Sequence, residues 1–131
     1  PVEASKETIR ILLVDDEQSV RRTLPLLLLR RGCEVVACED GMRALEYYRE
    51  SWQQIDLVIL DMNMPKMNGR DSFFAMREIN PDVHVILATG YSAERDAKKL
   101  LDEGVRSYIQ KPYSVDDLFP LIRQALNHEG E

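Results

Sequence analysis

Three stretches of this 131-residue sequence are nearly unbroken apolar runs that stop abruptly at polar residues. Ile9 to Val14 reads IRILLV and halts at Asp15-Asp16. Leu57 to Leu60 reads LVIL and halts at Asp61, and Val83 to Ala88 reads VHVILA and halts at Thr89-Gly90. A half-solvated strand alternates apolar and polar residues, so continuous runs of this length fit strands covered on both faces of a parallel sheet. Glu34 to Cys38 and Val105 to Gln110 are shorter and more mixed, as edge strands tend to be.

Helical patterns fill the intervals. Val20, Leu24, Leu27 and Leu28 follow i, i+4, i+7, i+8 spacing, as do Ala93, Ala97, Leu100 and Leu101, with Gly104 as the stop of that helix. Asp40 is suited to cap a helix carrying Leu45 and Tyr48, Phe73 and Met76 mark another, and Ser114 can cap a last one that turns Leu118 and Ile122 inward. Pro25 stands several residues inside the first helix, where it should bend it at a cost of about 3 kcal/mol. Strand and helix alternating five times predict an α/β domain, a (βα)5 flavodoxin-like fold with a parallel sheet of order 2-1-3-4-5 and helices on both faces. The expected domain runs over 9-127, between a polar linker at 1-8 and a loose tail at 128-131.

Composition narrows the function. A hydrophobic content of 44% suits one core, and a net charge of −6 argues against direct nucleic-acid binding, which needs a basic face. No apolar run approaches the ~18 residues of a membrane span, so a cytoplasmic location is expected. Cys33, just before the short strand-like run, and Cys38, within it, are five apart, too far separated along a strand for a disulfide, and read as reduced thiols. His84, inside a strand, reads as packing, and His128 as a helix-end or tail residue. Met62, Met64 and Met67 read as adaptable packing around Asp61, and Trp52 as lying away from the site.

The polar residues at the strand ends suit one task. With strands one and three adjacent at the switch point of the sheet, Asp15, Asp16 and Asp61 converge, and two unit charges 4 Å apart repel by about 4 kcal/mol at an effective dielectric of 20. Such a set calls for a hard cation, and Mg2+ prefers oxygen ligands. Lys111 adds a point charge and Thr89 a hydroxyl, which together could neutralise and hydrogen-bond a phosphoryl group arriving on a carboxylate. Asp61 is the best nucleophile because it stands alone at a central strand end, while Asp15 and Asp16 are better placed for the metal. Singly, each residue reads as a turn former, a helix cap or strand-end punctuation. In combination, at the same end of the right strands, they do not.

The segments LLVDDE (Leu12 to Glu17), DLVILDMNMPKMNG (Asp56 to Gly69), VILATGYS (Val85 to Ser92) and YIQKPY (Tyr108 to Tyr113) resemble the receiver domains of bacterial two-component systems over Thr8 to Leu126. The resemblance implies that Asp61 is the phosphorylated aspartate, with Asp16 a direct ligand of Mg2+ (or of Mn2+ as a substitute), Asp15 assisting through water and the Asn63 backbone carbonyl a third protein ligand. It implies that Thr89 and Lys111 contact the phosphoryl group, that Tyr108 is an aromatic switch, and that Lys111-Pro112 is a cis peptide. An X-Pro bond tolerates the cis form because its trans preference is only about 0.5–1 kcal/mol. The implied partners are a histidine kinase or histidine phosphotransfer protein, with a phosphorylation-linked dimer through the fourth helix, fifth strand and fifth helix. The family catalyses its own phosphorylation and dephosphorylation and is a switch, not a turnover enzyme. Gly90 and Tyr91 depart from the alanine that many members carry after the threonine, and the GYS stretch resembles receivers at the C-terminus of hybrid histidine kinases, with the kinase in the same chain.

Other classes fit less well. A haloacid-dehalogenase-type phosphatase needs an Asp-x-Asp after the first strand, and here the two aspartates are adjacent. A pseudo-receiver that works without phosphorylation would not need the intact set. A nucleotide site needs a Gly-rich turn where this chain has DDEQS.

Overall fold

The computed structural model describes residues 8–127, so residues 1–7 of the linker expected at 1-8 and the whole tail expected at 128–131, with His128, lie outside the described residues. Five strands, β1 (Ile9–Val14), β2 (Cys33–Cys38), β3 (Leu57–Asp61), β4 (Val85–Thr89) and β5 (Ser107–Gln110), alternate with five helices. These are α1 (Gln18–Leu29), α2 (Gly41–Ser51), α3 (Gly69–Ile79), α4 (Glu94–Leu101) and α5 (Val115–Asn127). The strands form one parallel sheet of order β2-β1-β3-β4-β5, the order expected from the pattern of runs. Every residue of β3 and β4 is buried, which is why those runs are continuous, whereas β2 at one edge exposes Glu34, Val36 and Ala37.

The sheet separates two cores. Leu12, Val14, Val58, Leu60, Val85 and Leu87 pack under α2, α3 and α4 with Tyr48, Phe73, Met76, Ala97 and Leu100. Ile11, Leu13, Ile59, Ile86 and Ile109 pack under α1 and α5 with Leu24, Leu28, Leu118 and Ile122. Truncating a buried leucine or phenylalanine such as Leu12 or Phe73 to alanine in either layer should cost about 2–5 kcal/mol.

The caps are as expected. Asp40 accepts from the Arg43 N–H at 2.9 Å, and Ser114 Oγ from the Asp117 N–H at 3.1 Å. Gly104 takes φ +115°, a left-handed conformation that lets α4 turn directly into β5. Other details differ. Leu27 and Leu101 belong to the two apolar helical spacings yet are partly exposed, because each lies at the flank of a helix whose buried stripe is narrower than the apolar pattern. Helix α1 continues through Pro25 to Leu29, and α5 also contains a proline, Pro120. Thr89 belongs to β4, while Val83 and His84 precede it. Trp52 sits in a 3-10 turn after α2, before β3, and both cysteines are free thiols. Among the described residues, no helix is long and apolar enough to cross a membrane.

Candidate functional site

Parallel strands of this sheet all point their carboxyl ends the same way, so Asp15, Asp61, Thr89 and Lys111 emerge along one edge. Side chains alternate along a strand. Asp15, Asp61 and Lys111 therefore continue the register of Leu13, Ile59 and Ile109, which face α1 and α5. Thr89 continues the register of Leu87, which faces α2 to α4. The acceptor candidate thus sits where the two layers meet.

Asp61 is 4% exposed and Asp15 1%, while Asp16 is exposed to solvent. Each of the three offers a carboxylate oxygen, and those oxygens lie within 4.8 Å of one another. Lys111 Nζ reaches Asp15 Oδ2 at 3.1 Å, Glu17 Oε1 at 3.1 Å and Asp61 Oδ2 at 3.3 Å. An ammonium has three N–H donors, and here each has a carboxylate. The Asn63 N–H donates to the other Asp61 oxygen at 3.2 Å, and the Glu17 N–H to Asp15 Oδ1 at 2.9 Å. Burial pushes the Asp61 carboxyl up to about 6, the Asp15 charge adds to this, and Lys111 and the Asn63 N–H oppose it without prevailing. Burial works against the Lys111 ammonium, yet Asp15 and Asp61 outweigh it and raise its pKa well above the usual range. The lysine is therefore firmly charged while its acceptor partner is hard to ionise. That combination favours an added cation, and hard oxygen donors at this separation fit Mg2+.

Local backbone holds this geometry. Asn68 caps α3 by accepting from the Asp71 N–H at 2.8 Å, and the Gly69 N–H donates to the Met62 carbonyl at 3.0 Å. A Cβ on Gly69 would lie 2.6 Å from the Asp61 carbonyl oxygen, so only glycine lets α3 start against the backbone of Asp61. The Lys111–Pro112 peptide is cis, as expected, and the Lys111 N–H donates to the Thr89 carbonyl at 2.7 Å.

Among the described residues, two hydroxyls here lack partners. Thr89 is fully buried and its Oγ1 makes no hydrogen bond; Tyr113 OH is also buried and unpaired, and burial with the Asp15 charge pushes it up to about 12. Tyr108 pairs in register with Leu87 on β4 and packs against the α2–α4 layer. Of the residues singled out from the sequence, Asp15, Asp16, Asp61 and Lys111 are brought together, Asn63 contacts Asp61 through its N–H, and Thr89 and Tyr108 lie on one face of neighbouring strands. Sequence reasoning assigned no role to Glu17, Tyr113 or Glu94. The first two stood inside quoted motifs, as an acid after the aspartate pair and an aromatic after Lys-Pro. Nothing local marked Glu94.

Residues 11–123 match the family model described as the response regulator receiver domain. Transcriptional regulatory protein ZraR of Klebsiella oxytoca is 35% identical over 124 residues, covering 95% of this chain and 28% of that protein. Sensor kinase CckA of Brucella abortus (strain 2308) is 30% identical over 119 residues, covering 91% of this chain and 13% of that protein. The chain therefore spans a small part of either relative. A crystal structure of a response regulator receiver domain protein from Clostridium thermocellum superposes with a TM-score of 0.89 at 33% identity, over 93% of this chain and 97% of that one.

Proposed function

The chain belongs to the response regulator receiver domain family of two-component signalling, and on that premise we propose that it is a switch which takes a phosphoryl group from phosphohistidine onto Asp61. The observation that carries the reading is the pairing of a nearly buried acceptor carboxylate with a three-coordinate lysine beside two further aspartates. An Asp61 oxygen attacks phosphorus, the P–N bond to the donor imidazole breaks, and the imidazole nitrogen keeps the electron pair. Lys111 is placed to follow the phosphoryl oxygens and Thr89 Oγ1, with no partner of its own, to donate to one of them. Asp16, Asp61 and the Asn63 carbonyl would hold Mg2+, with Asp15 assisting through water. The ion supplies charge neutralisation for the transferring group. Attack of water on the acyl phosphate later restores the carboxylate, so the domain catalyses only its own modification.

Movement of the Thr89 hydroxyl toward a phosphoryl oxygen vacates space on the face it shares with Tyr108, and the tyrosine turning into that space would carry the signal to α4, β5 and α5. The phosphoryl group works by its differential affinity for the two states. Receivers act with histidine kinases or phosphotransfer proteins, and the likeness to a sensor kinase supports a kinase in the same polypeptide as the donor. A cytoplasmic setting, domain limits of 9-127 and a dimer through α4, β5 and α5 complete the proposal. The test is labelling by acetyl phosphate with Mg2+. A single hydroxylamine-sensitive acyl phosphate is expected, absent in Asp61→Asn, and label remaining on another residue in that variant would overturn the reading.

A further inference from the structure

The Tyr108 hydroxyl donates to Glu94 Oε2 at 3.1 Å, across 14 residues of sequence, and both side chains are half-buried. Glu94 is the first residue of α4, and a 3-10 turn (Tyr91–Ala93) joins that helix to the loop after Thr89. A phenol donating to an ionised carboxylate forms a charge-assisted bond, stronger than a neutral one. The contrast with Thr89 is informative, since its hydroxyl is buried with no partner. One half of the pair is free to answer a phosphoryl group, and the other half is tied down.

We infer that Glu94 is a positioning residue that sets the resting state of the switch, its bond to Tyr108 opposing the rearrangement that phosphorylation drives. Tyr108 lies beside Leu87, and Thr89 is two residues further along the same strand and face. In the rearrangement proposed above, a ring that turns toward Thr89 would leave the position from which its hydroxyl reaches Glu94. An interaction present only in the resting state must weaken the binding of whatever favours the other state, by the factor that it contributes to the equilibrium. This inference rests on the Thr89/Tyr108 switch proposed above.

The experiment is a beryllofluoride titration with saturating Mg2+, followed by amide spectra, on wild type, Glu94→Gln, Glu94→Ala, Tyr108→Phe and the double variant Glu94→Ala/Tyr108→Phe. Losing the bond should tighten beryllofluoride binding roughly tenfold in Glu94→Ala and in Tyr108→Phe. The double variant should gain no more than either single one, and Glu94→Gln should fall between wild type and Glu94→Ala. Glu94 also lies in the first turn of α4, where an acid favours the helix dipole. A dipole effect would persist in the Tyr108→Phe background, so additive gains would overturn the inference, as would unchanged affinity in Glu94→Ala. If Tyr108 in wild type gives no response to beryllofluoride, the switch and the role of Glu94 fall together. If it responds and Glu94→Ala binds as wild type does, only the role of Glu94 falls.

Discussion

Lys111 Nζ lies 3.3 Å from Asp61 Oδ2, yet the lysine leaves the Asp61 carboxyl raised to about 6. The ammonium is shared with Asp15 and Glu17, and burial and the neighbouring Asp15 charge outweigh its pull. The resting site therefore holds more negative charge than its one lysine can neutralise.

Stability should fall as pH rises through this window. An unfolded aspartate titrates near 3.9, and Asp61 in the folded, metal-free protein near 6. Between about pH 4 and pH 6 the folded state keeps a proton that the unfolded state has released, so the contribution is unfavourable above pH 6 and disappears below pH 4. A shift of about two units corresponds to at most about 3 kcal/mol. Urea unfolding in EDTA from pH 4 to pH 7 should show Asp61→Asn gaining on wild type as pH rises, and a constant difference would count against the raised pKa.

Magnesium should relieve the same repulsion. At ten times its dissociation constant a ligand of the folded state adds about 1.4 kcal/mol, and thermal unfolding of wild type should rise accordingly. Asp16→Asn should lose most of that gain while keeping its metal-free stability, because Asp16 is exposed and the substitution removes a carboxylate ligand without opening a cavity. Equal stabilisation of both proteins would show that Asp16 does not hold the ion.

Removing the Lys111 ammonium should slow labelling of Asp61 more than it disturbs the fold. Lys111→Met keeps a stem of similar length but leaves Asp15, Glu17 and Asp61 without their shared cation. Loss of one charged donor to the transferring group costs roughly 10²-fold. Acetyl phosphate labelling measured at several Mg2+ concentrations checks this, and a wild-type rate would remove Lys111 from the chemistry.

Thr89→Ala should separate stability from signalling. Its hydroxyl is buried without a partner, an arrangement that costs about 1–3 kcal/mol. The variant should therefore be at least as stable as wild type when unphosphorylated. It should still accept beryllofluoride at Asp61, while the amide shifts at Tyr108 and along α4 shrink. Full shifts at Tyr108 in the variant would mean that Thr89 does not move it.

Gly69→Ala should be destabilising beyond its propensity, because the new Cβ would meet the Asp61 carbonyl oxygen at 2.6 Å. Displacing α3 or the acceptor strand should cost about 1–3 kcal/mol and slow labelling at Asp61. Chemical denaturation and labelling of one preparation test both parts, and a neutral change in each would show that the helix start moves freely.

Much of this molecule was legible in the residues alone. Unbroken runs at Ile9–Val14 and Leu57–Leu60 declared strands covered on two faces, and the helical spacings between them imposed crossovers, which left few sheet orders to choose from. The polar residues that end those runs had to emerge at one edge, because parallel strands share a direction. Periodicity, however, assigns a residue to a face and not to a neighbour. That Leu27 and Leu101 reach solvent depended on how wide a stripe each helix buries. The sharing of Lys111 among Asp15, Glu17 and Asp61, the orphaned hydroxyl of Thr89 and the bond from Tyr108 to Glu94 were decided by packing alone. The Lys111 and Tyr108 contacts join groups 14 to 96 residues apart, and only the closing of the crossovers sets such distances.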